Sequence, residues 1–243
     1  MNNINYLFLV FALLAEIIGT IGGFGSSVFF VPLGNFYFDF HTVLGLTAVF
    51  HLSSNLSKII LFKKGLDKNL LLYIGLPSVI FVIIGGIVSR YLDIVLLELL
   101  LGIFLVVLSL LFLVKQKLVI EPNKENSITG GILSGFSAGL LGTGGAIRGL
   151  TMAAYNLEKS VFIATSAAID MMIDATRTVV YYENGYITKD IIIYIPFLFV
   201  IGLVGTYLGK RILHYIPQDK FKNLSLVLIL IIGLITILKQ FLN

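Results

Sequence analysis

The chain has 243 residues, of which 58% are hydrophobic and 12% are charged, and its formal net charge is +4. A soluble protein of this length needs a charged outer surface, which this composition does not supply, so we expect an integral membrane protein. The chain contains no cysteine, which excludes disulfides and thiolate metal sites.

The first apolar segment runs from Tyr6 to Ile18. It lacks the basic flank of a signal peptide, no A-x-A cleavage site follows it, and Glu16 lies inside it. We therefore expect this segment to belong to the mature protein.

Six further apolar segments are each about 20 residues long, which is enough for a helix to cross the hydrocarbon core. They cover residues 42–62, 70–90, 94–114, 160–181, 190–209 and 223–242. Each set of three is preceded by an apolar stretch that glycines interrupt. The first stretch is 6–38 with its break at 19–27, and the second is 127–156 with its break at 139–145.

The two halves of the chain resemble each other at an offset of about 120 residues. Glycines match at both breaks, and the blocks 45–58 and 165–177 also align. In these blocks Asn55 matches Asp174, and Lys58 matches Arg177. A run of such matches in the same order indicates a duplication, with repeats at 1–120 and 121–243.

The distribution of Lys and Arg distinguishes two topologies, because cytoplasmic loops carry an excess of positive charge. If each broken stretch is a re-entrant hairpin, one side of the membrane collects most of the basic residues outside the apolar segments. If each is a full crossing, the two sides are nearly equal. We therefore predict an all-α integral membrane protein of two inverted repeats, each a re-entrant helical hairpin plus three transmembrane helices, with both termini outside.

The glycine breaks are the candidate substrate site. A helix that starts just after each break offers unpaired backbone N–H groups and the positive end of its dipole, which favour an anion. The alternative for these glycines is close helix packing, which we accept for the G-x-x-x-G-x-x-x-G spacing of Gly131, Gly135 and Gly139. The predicted substrate-binding residues are Gly22, Gly23, Phe24, Gly25, Ser26, Ser27, Gly142, Thr143, Gly144, Gly145 and Arg148.

Charged residues within apolar segments are the candidates for coupling or gating. Arg148 follows the second break and is either a substrate or gating contact or one member of a structural ion pair. We expect Lys58 to extend toward the lipid headgroups, with a gating role as the alternative. Arg177 has Asp174 three residues before it and can pair with that carboxylate.

Asp170 and Asp174 are spaced i, i+4 on one helix face, and their repeat mates are His51 and Asn55. An acidic pair beside Arg177 can relay a proton, because burial and like charge favour protonation of a carboxylate. The alternative is that Asp174 and Arg177 only neutralise each other. Glu16, one turn before the first break, is a second candidate proton carrier.

The paired halves resemble the sulfite exporter TauE/SafE family, also called the TSUP permeases. The resemblance covers nearly the whole chain and rests on G-T-I-G-G-F-G-S-S-V-F-F-V-P-L (19–33), A-G-L-L-G-T-G-G (138–145) and A-T-S-A (164–167). It implies transport of sulfur-containing anions such as sulfite, sulfonates or sulfoacetate. The residues themselves indicate only a small anion.

We therefore expect a secondary transporter that works by alternating access around a site near the membrane midplane. The alternatives are an anion channel of the same fold and a membrane partner protein without transport. No catalytic set or metal-ligand spacing is visible, so we expect neither an enzyme nor a cofactor. The predicted partners are a small anion, lipid and a coupling proton, without nucleic acid, and the predicted location is the plasma membrane of a prokaryote.

Overall fold

A computed structural model of the protein describes residues 4–22, 25–62, 65–115, 120–213, 215 and 218–242. These residues form helices joined by short connections, and no strand occurs among them. The helices are α1 (Tyr6–Gly22), α2 (Ser27–Gly34), α3 (Phe40–Leu61), α4 (Lys68–Leu70), α5 (Leu76–Tyr91), α6 (Ile94–Val114), α7 (Lys124–Leu141), α8 (Gly145–Ala153), α9 (Lys159–Glu183), α10 (Lys189–Ile192), α11 (Ile195–Leu213) and α12 (Gln218–Leu242). A π-helical turn, Leu71–Gly75, joins α4 to α5.

Five of the described helical segments are long and apolar enough to cross a bilayer. They are Phe40–Leu61, Lys68–Tyr91, Ile94–Val114, Ile195–Ile212 and Asn223–Phe241. The sixth expected crossing is α9, which has 25 residues but carries Asp170, Asp174 and Arg177 in its middle. The prediction of an all-α integral membrane protein is confirmed.

The α1–α2 segment folds into a hairpin, called hairpin 1. The ring of Phe8 near the start of α1 lies 5.0 Å from the ring of Phe38, which follows α2, and 5.6 Å from the ring of Tyr194. The chain therefore returns to the end of the bundle where α1 begins, called the aromatic end. At the other end of the hairpin, Gly19 packs so closely on the backbone of Ser26 that a side chain there would overlap it.

The α7–α8 segment forms the corresponding hairpin 2. Tyr155, which follows α8, donates a hydrogen bond of 3.0 Å to the carbonyl of Asn123, which precedes α7. Gly142 reverses the chain with a φ of +74° and donates its N–H to the carbonyl of Ala138. Only glycine adopts this left-handed conformation without strain, so the turn of hairpin 2 depends on that residue.

Hairpin 2 opens toward the opposite end of the bundle, called the lysine end. There Lys124 lies 5.1 Å from the ring centre of Tyr73, and Lys210 donates to the carbonyl of Leu61 at 3.0 Å. Both contacted residues flank the connection between α3 and the helix that follows it. The two hairpins therefore approach the middle of the bundle from opposite ends.

The packing partners correspond between the two halves. Helix α7 occupies the position in the second half that α1 occupies in the first, and α11 corresponds to α5 in the same way. Helix α1 packs on α11, and α7 packs on α5. The remaining corresponding helices pack on each other, α3 on α9 and α6 on α12. Exchange of the halves thus converts the α1–α11 pair into the α7–α5 pair and leaves the α3–α9 and α6–α12 pairs unchanged, as a duplicated chain would require. The repeat boundaries and the inverted repeat stay predictions.

The contact between α5 and α7 uses the predicted small-residue pattern. A side chain at Gly131, Gly135 or Gly139 would overlap the backbone carbonyl of Ile74, Ser78 or Val82 respectively. Ser78 also donates a hydrogen bond of 2.9 Å to the carbonyl of Gly131 across this contact. These three glycines therefore serve helix packing.

We predict that Gly135→Ala destabilises the protein by about 1–3 kcal/mol, because the added methyl group has no space between the two backbones. Gly75→Ala is the matched control, since its new Cβ would lie in ordinary contact, 3.6 Å from the Ile169 side chain. The melting temperature of each variant in detergent is measured by size-exclusion chromatography of samples heated to increasing temperatures. Equal melting temperatures for Gly135→Ala and the unmodified protein would contradict the packing account.

Candidate functional site

The two glycine breaks meet inside the bundle. Ser27 in hairpin 1 donates a hydrogen bond of 3.1 Å to the hydroxyl of Thr143 in hairpin 2, and both residues are buried. A Cβ built on Gly25 would lie 3.9 Å from the Cα of Gly145. The predicted residues of the two breaks are therefore brought together, except Gly23 and Phe24, which lie outside the described residues.

Each break is followed by the start of a short helix. Helix α2 begins at Ser27 after the N-cap Ser26, and α8 begins at Gly145 after the N-cap Gly144. Gly22 is the last residue of α1. The first turn of a helix has N–H groups without intrahelical partners, and its dipole places positive charge there. Two such starts at one place favour a bound anion.

Glu16 is fully buried beside the first break and is surrounded by donors. Its Oε1 accepts hydrogen bonds from the hydroxyls of Thr20 at 3.1 Å, Ser54 at 2.5 Å and Thr206 at 3.0 Å. Its Oε2 accepts a hydrogen bond of 2.6 Å from Ser26. A buried carboxylate needs such compensation, and these hydroxyls come from four different segments of the chain.

Lys58 completes this set and does not extend to the headgroups, so the expectation for its side chain is wrong. Its Nζ lies 3.1 Å from Oε1 of Glu16 and donates to Ser54 at 2.7 Å. A buried opposite charge binds the ammonium more strongly than the distant headgroup layer does. Lys58 is thus a neighbour of the first break.

His51 connects this set to the second half of the chain. Its Nε2 lies 3.0 Å from the hydroxyl of Ser26, and its Nδ1 lies 3.5 Å from an Arg177 nitrogen. Asp174 is within 3.9 Å of the same Nδ1 and accepts a hydrogen bond of 2.6 Å from Asn55. Polar contacts therefore run from Glu16 on α1 to Asp174 on α9.

Arg177 holds the C-terminal end of α7 next to the second break. It pairs with Asp174 at 2.8 Å, as the alternative interpretation of that carboxylate requires, and donates to the carbonyls of Gly142 at 2.8 Å and Ala138 at 3.3 Å. Tyr181 donates to Ala138 as well. The guanidinium offsets the negative end of the α7 dipole. Its Nε is buried and has no hydrogen-bond partner among the described residues.

Arg148 forms an ion pair with Asp170 through both of its terminal nitrogens and donates from Nε to Ser166 at 3.1 Å. Asp170 and Asp174 therefore pair with separate arginines, and a proton relay through them stays a prediction. The ion pair predicted as one alternative for Arg148 is present in this conformation, and a role of Arg148 in substrate binding stays a prediction.

The hydroxyl residues that surround Glu16, namely Ser54, Thr20 and Thr206, were not predicted from the sequence. Single hydroxyl residues in apolar helices are common, and the repeat alignment gives no matching carboxylate that would have drawn attention to them. The hydroxyls of Thr47 and Thr165 are bonded elsewhere: Thr47 donates to the carbonyl of Val43 on its own helix, and Thr165 accepts from the N–H of Asp67.

We predict that Ser27→Cys combined with Thr143→Cys forms an intramolecular disulfide under mild oxidation, because the two side chains are in direct contact. The protein contains no cysteine, so no other thiol competes. Mass spectrometry of tryptic peptides detects the link, and each single substitution serves as a control. Two free thiols in the folded double variant would show that the breaks do not meet.

Comparison with known proteins identifies a relative and a family. The chain is 26% identical to a probable membrane transporter protein of Methanocaldococcus jannaschii, over 93% of this chain and 92% of that relative. No solved structure matches the chain. The sequence model of the sulfite exporter TauE/SafE family matches residues 7–236, which include both hairpins and the residues between them. The chain therefore belongs to the sulfite exporter TauE/SafE family of membrane transporters.

Proposed function

We propose that the protein is a secondary transporter of a small anion and that the substrate binds where the two breaks meet. The observation that carries this proposal is the Ser27–Thr143 contact, which joins the starts of two short helices in the interior of a membrane protein. Backbone N–H groups and hydroxyls at such a place replace the water molecules that hydrate an anion in solution.

A sulfur oxyanion or an organosulfonate fits this set of donors. Its several oxygens can accept hydrogen bonds from different directions at once. Two converging helix starts and the hydroxyls of Ser26, Ser27 and Thr143 would supply such donors. The name of the family's sequence model specifies sulfite. The name of the archaeal relative specifies no substrate.

Alternating access follows from the proposed inverted repeat. The opposite directions of the two hairpins and the correspondence of their packing partners support it, since inverted repeats in transporters enclose a midplane site between them. The lysine end would face the cytoplasm of a prokaryotic cell, and both termini would lie outside the plasma membrane.

Charge balance favours coupling to a proton. In the described part of the site, Lys58, Arg148 and Arg177 face the carboxylates of Glu16, Asp170 and Asp174 in three pairs. With His51 counted as neutral, this set has no net charge, and an anion that enters it alone leaves an excess negative charge in a poorly hydrated place. A proton that enters with the anion removes the excess.

Proteoliposomes with purified protein test the function directly. We expect saturable uptake of labelled sulfite or a labelled small sulfonate that increases when the pH gradient drives protons inward. We also expect counterflow, in which unlabelled anion inside speeds the uptake of labelled anion, because a carrier exchanges substrates and a channel does not. Absence of flux for either anion with folded protein would contradict the proposal.

We predict that Thr143→Val raises the KM for the anion on the order of tenfold, since the substitution removes one hydroxyl donor at nearly constant volume. Thr236→Val is the matched control, because among the described residues the Thr236 hydroxyl bonds to the carbonyl of Ile232 on its own helix. Initial uptake rates at varied anion concentration give the KM of each variant. The same KM for the two variants would place the substrate elsewhere.

A further inference from the structure

The pairing of Glu16 with Lys58 places a carboxylate where a transported anion would bind. We propose that protonation of Glu16 releases Lys58 to bind the substrate anion, so that one proton accompanies each monovalent anion. This inference rests on the proposed function and extends it by naming the residues that couple the two ions.

The geometry makes Glu16 a competitor of the substrate. Its carboxylate lies between the Nζ of Lys58, 3.1 Å from Oε1, and the hydroxyl of Ser26, 2.6 Å from Oε2. Ser26 is the N-cap of α2 at the first break. A cation and a hydroxyl at a helix start are also features that attract a small anion, and an ionised Glu16 already occupies the Lys58 ammonium and the Ser26 hydroxyl.

Protonation changes this competition because Glu16 and Lys58 are both shielded from water. A neutral Glu16 leaves the buried ammonium without a counter-charge, which is unfavourable until another anion replaces the carboxylate. Conversely, an anion beside an ionised Glu16 adds a second negative charge at short range. The proton and the anion therefore favour each other's binding, which is the thermodynamic requirement for coupled transport.

Ser26 and His51 provide a route for the proton to Glu16. Arg177 can only donate and lies 3.5 Å from Nδ1 of His51, which favours the tautomer in which Nε2 carries a hydrogen that Ser26 accepts. When Nδ1 of His51 takes up a proton, the Nε2 proton moves to Ser26, 3.0 Å away, and the hydroxyl proton of Ser26 moves to Oε2 of Glu16 at 2.6 Å. His51 is then the other neutral tautomer, and Glu16 is neutral.

The remaining charged groups near Glu16 have partners of their own. Helix α3 supplies Lys58 and His51, α9 supplies the pair of Asp174 and Arg177, and α8 supplies Arg148, which pairs with Asp170 on α9. Helix α11 contributes the hydroxyl of Thr206, and its Lys210 donates to the carbonyl of Leu61. Glu16 is thus the carboxylate in direct contact with Lys58 within the described part of the site.

Glu16→Gln tests this inference, because the amide imitates the protonated carboxyl group. In proteoliposomes we expect this variant to lose the increase in sulfonate uptake that an inward proton gradient produces, while counterflow of the sulfonate persists. Glu98→Gln is the matched control. Glu98 is also buried and accepts from Gln240, but it lies beside Lys239 near the end of α12, and its variant should keep the full response to the gradient.

A measurement on the unmodified protein decides the question if Glu16→Gln does not fold. Addition of methanesulfonate to purified protein in weakly buffered detergent should cause uptake of about one proton per bound anion, read with a pH-sensitive dye. Anion binding without proton uptake, or a full gradient response in a folded Glu16→Gln variant, would overturn the inference and leave anion transport intact. If the unmodified protein neither binds nor transports the anion, the proposed function fails and this inference fails with it.

Discussion

Backbone polar groups that are freed inside a membrane protein must be satisfied there, and the rest of this structure depends on that constraint. Each hairpin interrupts its helix in the interior, at Gly25 and at Gly142, where the left-handed φ values are +83° and +74°. The carbonyls freed at the end of α7 are satisfied by Arg177 and Tyr181. The helix starts that follow the breaks converge, and we propose that the substrate satisfies them during transport.

The sequence was sufficient for the features that repeat or that glycine marks. The two breaks, the short helices that follow them and the ion pair of Asp174 with Arg177 follow from spacing alone, because glycine spacing and the i, i+3 relation are local. The five spanning helices follow from the length of the apolar segments. The packing of α5 on α7 follows from the spacing of Gly131, Gly135 and Gly139.

The surroundings of Glu16 could not be predicted in the same way, because they depend on tertiary contacts between distant segments. Thr206 lies 190 residues from Glu16 along the chain, and Ser54 lies 38 residues away. Lys58 illustrates the difficulty: its position near a helix end suggests a headgroup contact, and only the folded chain brings a buried carboxylate within its reach. The second half has no glutamate at the position that matches Glu16, so the repeat alignment could not predict the role of this residue.

The most direct test of the site between the breaks is the reactivity of Ser27→Cys toward a membrane-impermeant thiol reagent, added to oriented vesicles from one side at a time. Position 27 is buried at the start of α2. Alternating access therefore predicts that the labelling rate depends on the side from which the reagent is added and that a saturating anion slows the labelling. Labelling from both sides at equal rates, unaffected by sulfite or a sulfonate, would contradict a single alternating site at the two breaks.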